Sequence, residues 1–271
     1  MVQNNPILSH WQVELQNFST NFLLLQQQIS TEPVHDFRVA VKRLRSYFKL
    51  YAAICGTEYH KKTFAQTTEL FSVLGKHRNM EMSRDLLLSM VQKNREMLTP
   101  LLRYLESTLD EAAEYCRRSI KEYTMEELPK LTATVEEGLK DFSAEDVLGM
   151  TKSLIASSME RIRHDMAHFE EKSHLVRKAL KDIFYWVKIF DDDEVLKKTE
   201  GKTADNILNR LGLIQDHEVM IKIVRSFRNT LLAKGTAEHE FIKKIEGRAK
   251  RKKKALLEQA RDLTDKLISA S

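Results

Sequence analysis

The side chains whose types and spacing point to chemistry are cations. The stretch "HDFRVAVKRLRSYFK", His35 to Lys49, puts one histidine and five Lys/Arg side chains among Phe, Val, Leu and Tyr. On a helix each residue advances by about 100°, so Arg38, Lys42, Arg45 and Lys49 fall within about 280–340° of His35 and share one stripe with it. Arg43, at about 80°, is off that stripe. Phe37, Ala40, Val41, Leu44, Phe48 and Tyr51 take the opposite side, which predicts an amphipathic helix with a core face and a cationic face. No carboxylate interleaves the stripe, and like charges stacked one turn apart destabilise a helix unless an anion neutralises them. Fourteen residues span about 21 Å, so the anion expected here is an extended polyanion rather than a single phosphate. The alternative is a solvated basic face.

A second copy separates these readings. "HLVRKALKDIFYWVK", His174 to Lys188, repeats HxxRxxxK and again ends in Lys fourteen residues after the histidine. His174, Arg177, Lys181 and Lys188 form the stripe, and Val176, Leu180, Ile183 and Val187 the core side. Phe184 stands where Arg45 does in the first copy. The offset is 139 residues, and "LGKHRN" from Leu74 is followed by "LGLIQD" from Leu211 at an offset of 137. Two landmarks in one register imply an internal duplication.

The elements that must position these stripes are helical throughout. In 271 residues there are 8 Gly and 4 Pro against 42% apolar and 31% charged residues, a composition rich in helix formers. The fold class read from this is all-α. Apolar periodicity predicts helices over Trp11–Ile29, Val34–Tyr51, Tyr59–Leu74 and Met82–Ile120, then Val147–Phe169, His174–Phe190, Ala204–Leu213 and His217 to the end. The domain reading is one unit over residues 1–271, with halves of approximately 1–125 and 145–271 and a linker over 126–144. Lys and Arg number 44 against 39 Asp and Glu, so the net charge of +5 says little and local clustering decides the partner. Cys55 and Cys116 are too far apart for a zinc or disulfide framework, which fits a reducing cytoplasm. "MVQNNPILSHWQVELQ" lacks an export signal, and no window approaches the roughly 18 apolar residues of a membrane helix, so no membrane partner is expected.

The sequence resembles the CHAD family, the conserved histidine α-helical domain. The resemblance is carried by His35, Arg38, Val39, Ala40, Lys42, Arg43, Leu44 and Arg45, by His174, Arg177 and Lys181, and by Leu74-Gly75 and Leu211-Gly212, which match the family's LG turn. It covers almost the whole chain. It implies two four-helix bundles related by a pseudo-twofold axis, with the basic helices facing a central groove or pore. It also implies binding of inorganic polyphosphate and association with polyphosphate granules, without turnover. The binding residues are then His35, Arg38, Lys42, Arg45, Lys49, Arg78, His174, Arg177, Lys181 and Lys188. Arg78 corresponds to Gln215, and the acidic residue after the LG turn is Asn79 in the first half but Asp216 in the second, so the second half departs from the first. Catalytic partners, such as the CYTH triphosphatase domain the family often carries, would be separate chains of polyphosphate metabolism.

From the residues themselves, His35 and His174 sit at helix starts, where the dipole favours an anion. Binding is then expected to strengthen below about pH 6.5. The remaining constellations are weaker. "HDMAH", His164 to His168, has two histidines one turn apart but no third ligand for a metal. "DDDE", Asp191 to Glu194, lacks a second acidic cluster. "GKT", Gly201 to Thr203, lacks the upstream Gly of a phosphate loop and reads as a turn. "RAKRKKK", Arg248 to Lys254, is the densest basic run and has no interleaved aromatics to stack on bases. No nucleophile with a recognisable base appears, so the expectation is a non-enzyme with no cofactor and no metal. The alternatives are a metal-dependent polyphosphate hydrolase and a non-specific nucleic-acid binder.

Overall fold

The computed structural model describes residues 5–58, 61–190 and 198–270. α1 (Pro6–Gln27) starts where the Asn5 side chain accepts a hydrogen bond from the Ile7 backbone N–H at 3.0 Å and Pro supplies the first turn. α2 (Thr31–Ile54), α3 (Ala65–Met90), α4 (Thr99–Glu122) and α5 (Glu127–Leu139) follow. α6 (Ala144–Asp165) opens with a capping box between Ser143 and Asp146. α7 (Phe169–Val187), α8 (Lys198–Leu231) and α9 (Ala237–Ala270) complete the chain. Among the described residues there is no strand, and no helix long and apolar enough to cross a membrane. The all-α reading holds.

Several boundaries differ from the periodicity, each for a local reason. The expected Met82–Ile120 helix is interrupted between Met90 and Thr99, where Asn94 adopts the left-handed conformation (φ 58°) and Pro enters the first turn of α4. Neither LG pair is a turn: Leu74-Gly75 lies inside α3 and Leu211-Gly212 inside α8. "GKT" is likewise the first part of α8 rather than a turn, and "DDDE" lies outside the described residues. The connecting segment 126–144 carries α5, whose Leu128, Val135 and Leu139 are buried.

Two apolar cores form. The larger takes Phe18 and Phe22 of α1, Phe37, Val41 and Leu44 of α2, Val176 and Leu180 of α7, and Ile207 and Leu211 of α8. Phe37 packs on Phe18 with ring centroids 4.8 Å apart. The smaller joins Leu87, Leu98 and Leu105 from the α3–α4 hairpin to Met220, Val224 and Phe227 of α8 and to Ile245 and Ala249 of α9. Each fully buried large side chain contributes about 1.5–3 kcal/mol. Both cores draw on both sequence halves.

What positions the basic helices is a set of polar locks between α1, α2 and α7. Arg43 pairs with the buried Glu14 of α1 at 2.8 Å. Trp186 Nε1 donates to the Ser46 carbonyl at 2.9 Å, and Lys49 pairs with Asp182 at 2.7 Å. The first ties α2 to α1, and the other two fix where α2 meets α7.

Candidate functional site: a cationic cleft

α2 and α7 turn their polar faces toward each other beside α3 and α8, leaving a cleft of about 670 Å³. His35, Arg38 and Lys42 enter it from α2, Arg78 from α3, and Arg177 and Lys181 from α7. The two stripes therefore meet in one place, with one further cation from the residues after Gly75.

The other four candidates are not brought into the cleft lining. Arg45 donates to Thr68 Oγ1 of α3 at 2.6 Å and lies 4.8 Å from the Phe71 ring centroid. Lys49 is bonded to Asp182. Lys188 sits 4.3 Å over the Phe184 ring, and His174 is exposed at the start of its stripe. α3 and α7 thus close over the last two turns of the α2 stripe, making the cleft compact rather than a trench along the whole helix.

The LG pairs explain themselves in this geometry. The Arg38 guanidinium donates to the Phe71 carbonyl, lies 3.9 Å from the Phe71 ring centroid, and rests directly on Gly75. A Cβ at Gly75 would come within 2.5 Å of Arg38 Nη1, whereas one at Gly212 would be 3.6 Å from Arg177 Nη2, an ordinary contact. Gly75 lets Arg38 of the neighbouring basic helix lie on a helix backbone, and Gly212 sits at the matching place beside Arg177 without needing to be glycine. Ala in place of a mid-helix Gly gains up to about 1 kcal/mol. Gly212→Ala is therefore expected to melt slightly higher than the wild type with unchanged anion affinity. Gly75→Ala is expected to displace Arg38 and lose affinity without melting higher; paired melting and titration curves check both.

The electrostatics show cations held with little compensation. Burial, then the like charges of Lys181, Arg38, Arg177 and Arg78, push the Lys42 ammonium down to about 6. Lys181 is pushed down to about 8 by burial and by Arg177, Arg38 and Arg43, against the opposing pull of Asp182. Burial, then Arg78 and Arg45, lower Arg38 to about 10. His35 is lowered by burial and by Arg78, although Asp36 opposes this. Among the described residues, Lys42, Arg78, Arg177 and Lys181 form no ion pair. An anion entering the cleft would oppose every like-charge shift.

The acid facing these groups is Asp216, whose carboxyl is raised by burial even though Arg78, Arg177 and Lys42 favour its charged form. Asp205 and Asn209 also line the cleft, as does Tyr185. Sequence reasoning missed these three. Asp205, Asn209, Gly212 and Asp216 are spaced as one face of a helix, and that periodicity was the available signal once Gly212 is taken as helical rather than as a turn.

The other constellations do not join the cleft. Asp165 of "HDMAH" is held by Lys172 at 2.6 Å, and the His164 side chain is 80% exposed. Among the described residues no three His, Cys, Asp or Glu side chains gather as a metal-binding group. The Arg248 to Lys254 run lies on α9, outside the cleft lining.

Comparison with known proteins bears on this arrangement as a whole. Residues 14–225 match the family model described as the CHAD domain. The chain is similar in three dimensions to the crystal structure of the CHAD domain from the plant Ricinus communis, with a TM-score of 0.71 and 15% identity over 96% of this chain and 90% of that one. At that identity the likeness speaks for the fold. A search of curated proteins gives no match.

Proposed function

The chain belongs to the CHAD domain family, and from that premise we propose that it binds inorganic polyphosphate in the α2/α3/α7 cleft without turning it over. The observation that carries this reading is the convergence of Arg38, Lys42, Arg78, Arg177 and Lys181 on one cleft at the cost of depressed lysine pKa values. Such an arrangement is unfavourable in the empty protein and becomes favourable when a dense linear anion fills it.

Each internal phosphate of the polymer carries about one negative charge, so a row of units meets the cations one for one and releases their counterions. Five or six such contacts predict a log affinity that falls with log salt at a slope of about −4. The proposed role is retention: holding the chain on polyphosphate, including polymer gathered in cytoplasmic granules.

The test is titration of long-chain polyphosphate, single-stranded DNA and heparin onto wild type and onto Arg78→Ala/Lys181→Ala, with orthophosphate release followed in parallel. These two residues serve better than Arg38, which also holds α2 against α3. Selective, salt-steep binding of polyphosphate that weakens at least tenfold in the double variant is expected. Equal binding of the three polymers would sink the reading, and phosphate release in the presence of a divalent metal would favour a hydrolase instead.

A further inference from the structure

The densest basic run of the chain takes no part in the cleft, yet it has an unusual setting. On α9, Lys244, Arg248, Lys250, Arg251, Lys252 and Lys254 are all exposed. They cover about half of the helix circumference over about 15 Å. Between Phe241 and Leu257 the only acid is Glu246, and it is turned inward. Its carboxylate is buried at 4% exposure and already bonded to Arg225 Nε at 3.0 Å, Arg228 Nη2 at 3.1 Å and Lys250 Nζ at 2.7 Å. Three cations share one acid there, and Lys250 is the member of the exposed row among them.

The inner face of α9, through Ile242, Ile245 and Ala249, seals the smaller core. The outer face gains nothing from that packing. Among the described residues, Lys244, Arg248, Arg251, Lys252 and Lys254 form no ion pair. A surface helix relieves such repulsion with carboxylates three or four residues away; here the exposed Glu240 and Glu258 flank the row next to Lys244 and Lys254, and α9 has no acid three or four residues from Arg248, Arg251 or Lys252.

Its position relative to the cleft is set by α8. α8 and α9 run antiparallel, with Lys253 beside Glu218 at 3.4 Å and Arg225 beside Glu246 at 3.0 Å. Asp216, where α8 leaves the cleft, is therefore level with the end of the run at Lys254, and the row continues away from there.

Resting on the polyphosphate reading of the cleft, we propose that the exposed face of α9 is a second polyphosphate-binding site, which takes the part of a long polymer that leaves the cleft. The occupant fits because polyphosphate is a dense, featureless linear charge, and the row offers charge density without aromatic surface for bases. Two sites on one rigid scaffold make the second contact intramolecular, so long chains gain affinity that short ones do not.

The experiment compares tripolyphosphate with long-chain polyphosphate on the full chain, wild type and Lys244→Gln/Arg248→Gln/Arg251→Gln/Lys252→Gln, across salt. The expected result is tripolyphosphate affinity within twofold of wild type, and long-chain affinity lower by tenfold or more. The long-chain salt slope is expected to be less steep by about 3. Unchanged long-chain affinity and slope would overturn the proposal, as would equal losses for both ligands, which would mean that the change reaches the cleft or the fold. Loss of single-stranded DNA binding with polyphosphate unaffected would assign the face to nucleic acid and also overturn it. Failure of the cleft reading has a different signature: the wild type would not bind tripolyphosphate, whereas the long-chain slope would still report on α9.

Discussion

Lys42→Met is expected to melt about 5 °C higher than the wild type at pH 7 without ligand, and to bind polyphosphate at least tenfold more weakly. The gain comes from removing an amine that burial and four neighbouring cations oblige to give up its proton on folding, and replacing it with an apolar side chain of similar length. At this chain size each kcal/mol is worth about 2–4 °C. The same group fixes the pH dependence. Its folded pKa, about 6, lies below its ordinary value of 10.5, so between these limits the unfolded chain binds more protons and stability rises with pH. Lys181, lowered to about 8, adds a slope of the same sign from there upward. Below pH 6 the Lys42 contribution is level. Bound anion raises the lysine pKa again, so binding takes up a proton and affinity falls as pH climbs from about 6 to 8. Melting curves over pH 5.5–9.5 and calorimetric titrations in two buffers of different ionisation enthalpy measure both effects. A wild type with flat profiles, or a Lys42→Met variant that keeps the slope between about pH 6 and 8, would contradict this assignment.

Glu246→Ala is expected to cost about 3 kcal/mol, the scale for removing one partner from a buried ion cluster. Arg228, with 16% of its side chain exposed, would be left among the apolar residues of the smaller core without its carboxylate. The loss reads out as a melting temperature lower by about 6–12 °C. Tripolyphosphate affinity measured below the transition is expected to hold, because Glu246 lies outside the cleft lining. A drop in stability under 1 kcal/mol would mean that Arg225, Arg228 and Lys250 reach solvent unaided.

Much of this architecture was legible because helical spacing is a local property. Phe37, Val41 and Leu44, placed on one face by counting, are each fully buried, and the HxxRxxxK repeat located both helices that wall the cleft. What counting misses is what lies across from a residue. Arg43 falls off the stripe on a helical wheel, and only the packing of α1 shows that it belongs to Glu14, 29 positions earlier in the chain. Arg45 and Lys49 fall on the stripe and are nevertheless covered by α3 and α7, since a wheel treats a helix as unobstructed all round. Gly75 and Gly212 read as punctuation because glycine usually ends a helix. Both lie inside helices, and Gly75 keeps its helix backbone bare where Arg38 crosses it, a tertiary reason with no local signature, whereas Gly212 leaves room for a Cβ beside Arg177.

The division of the interior into two apolar clusters has a thermodynamic consequence. The tips of the α3–α4 and α8–α9 hairpins bury their side chains only with one another, while the cleft is walled by helices rooted in the larger cluster. Cooperative units in native proteins tend to follow such boundaries. Amide protons around Leu98 and Phe227 are thus expected to report an opening reaction of their own in hydrogen exchange, one that frays the far ends of the hairpins while Lys42 and Lys181 stay facing each other.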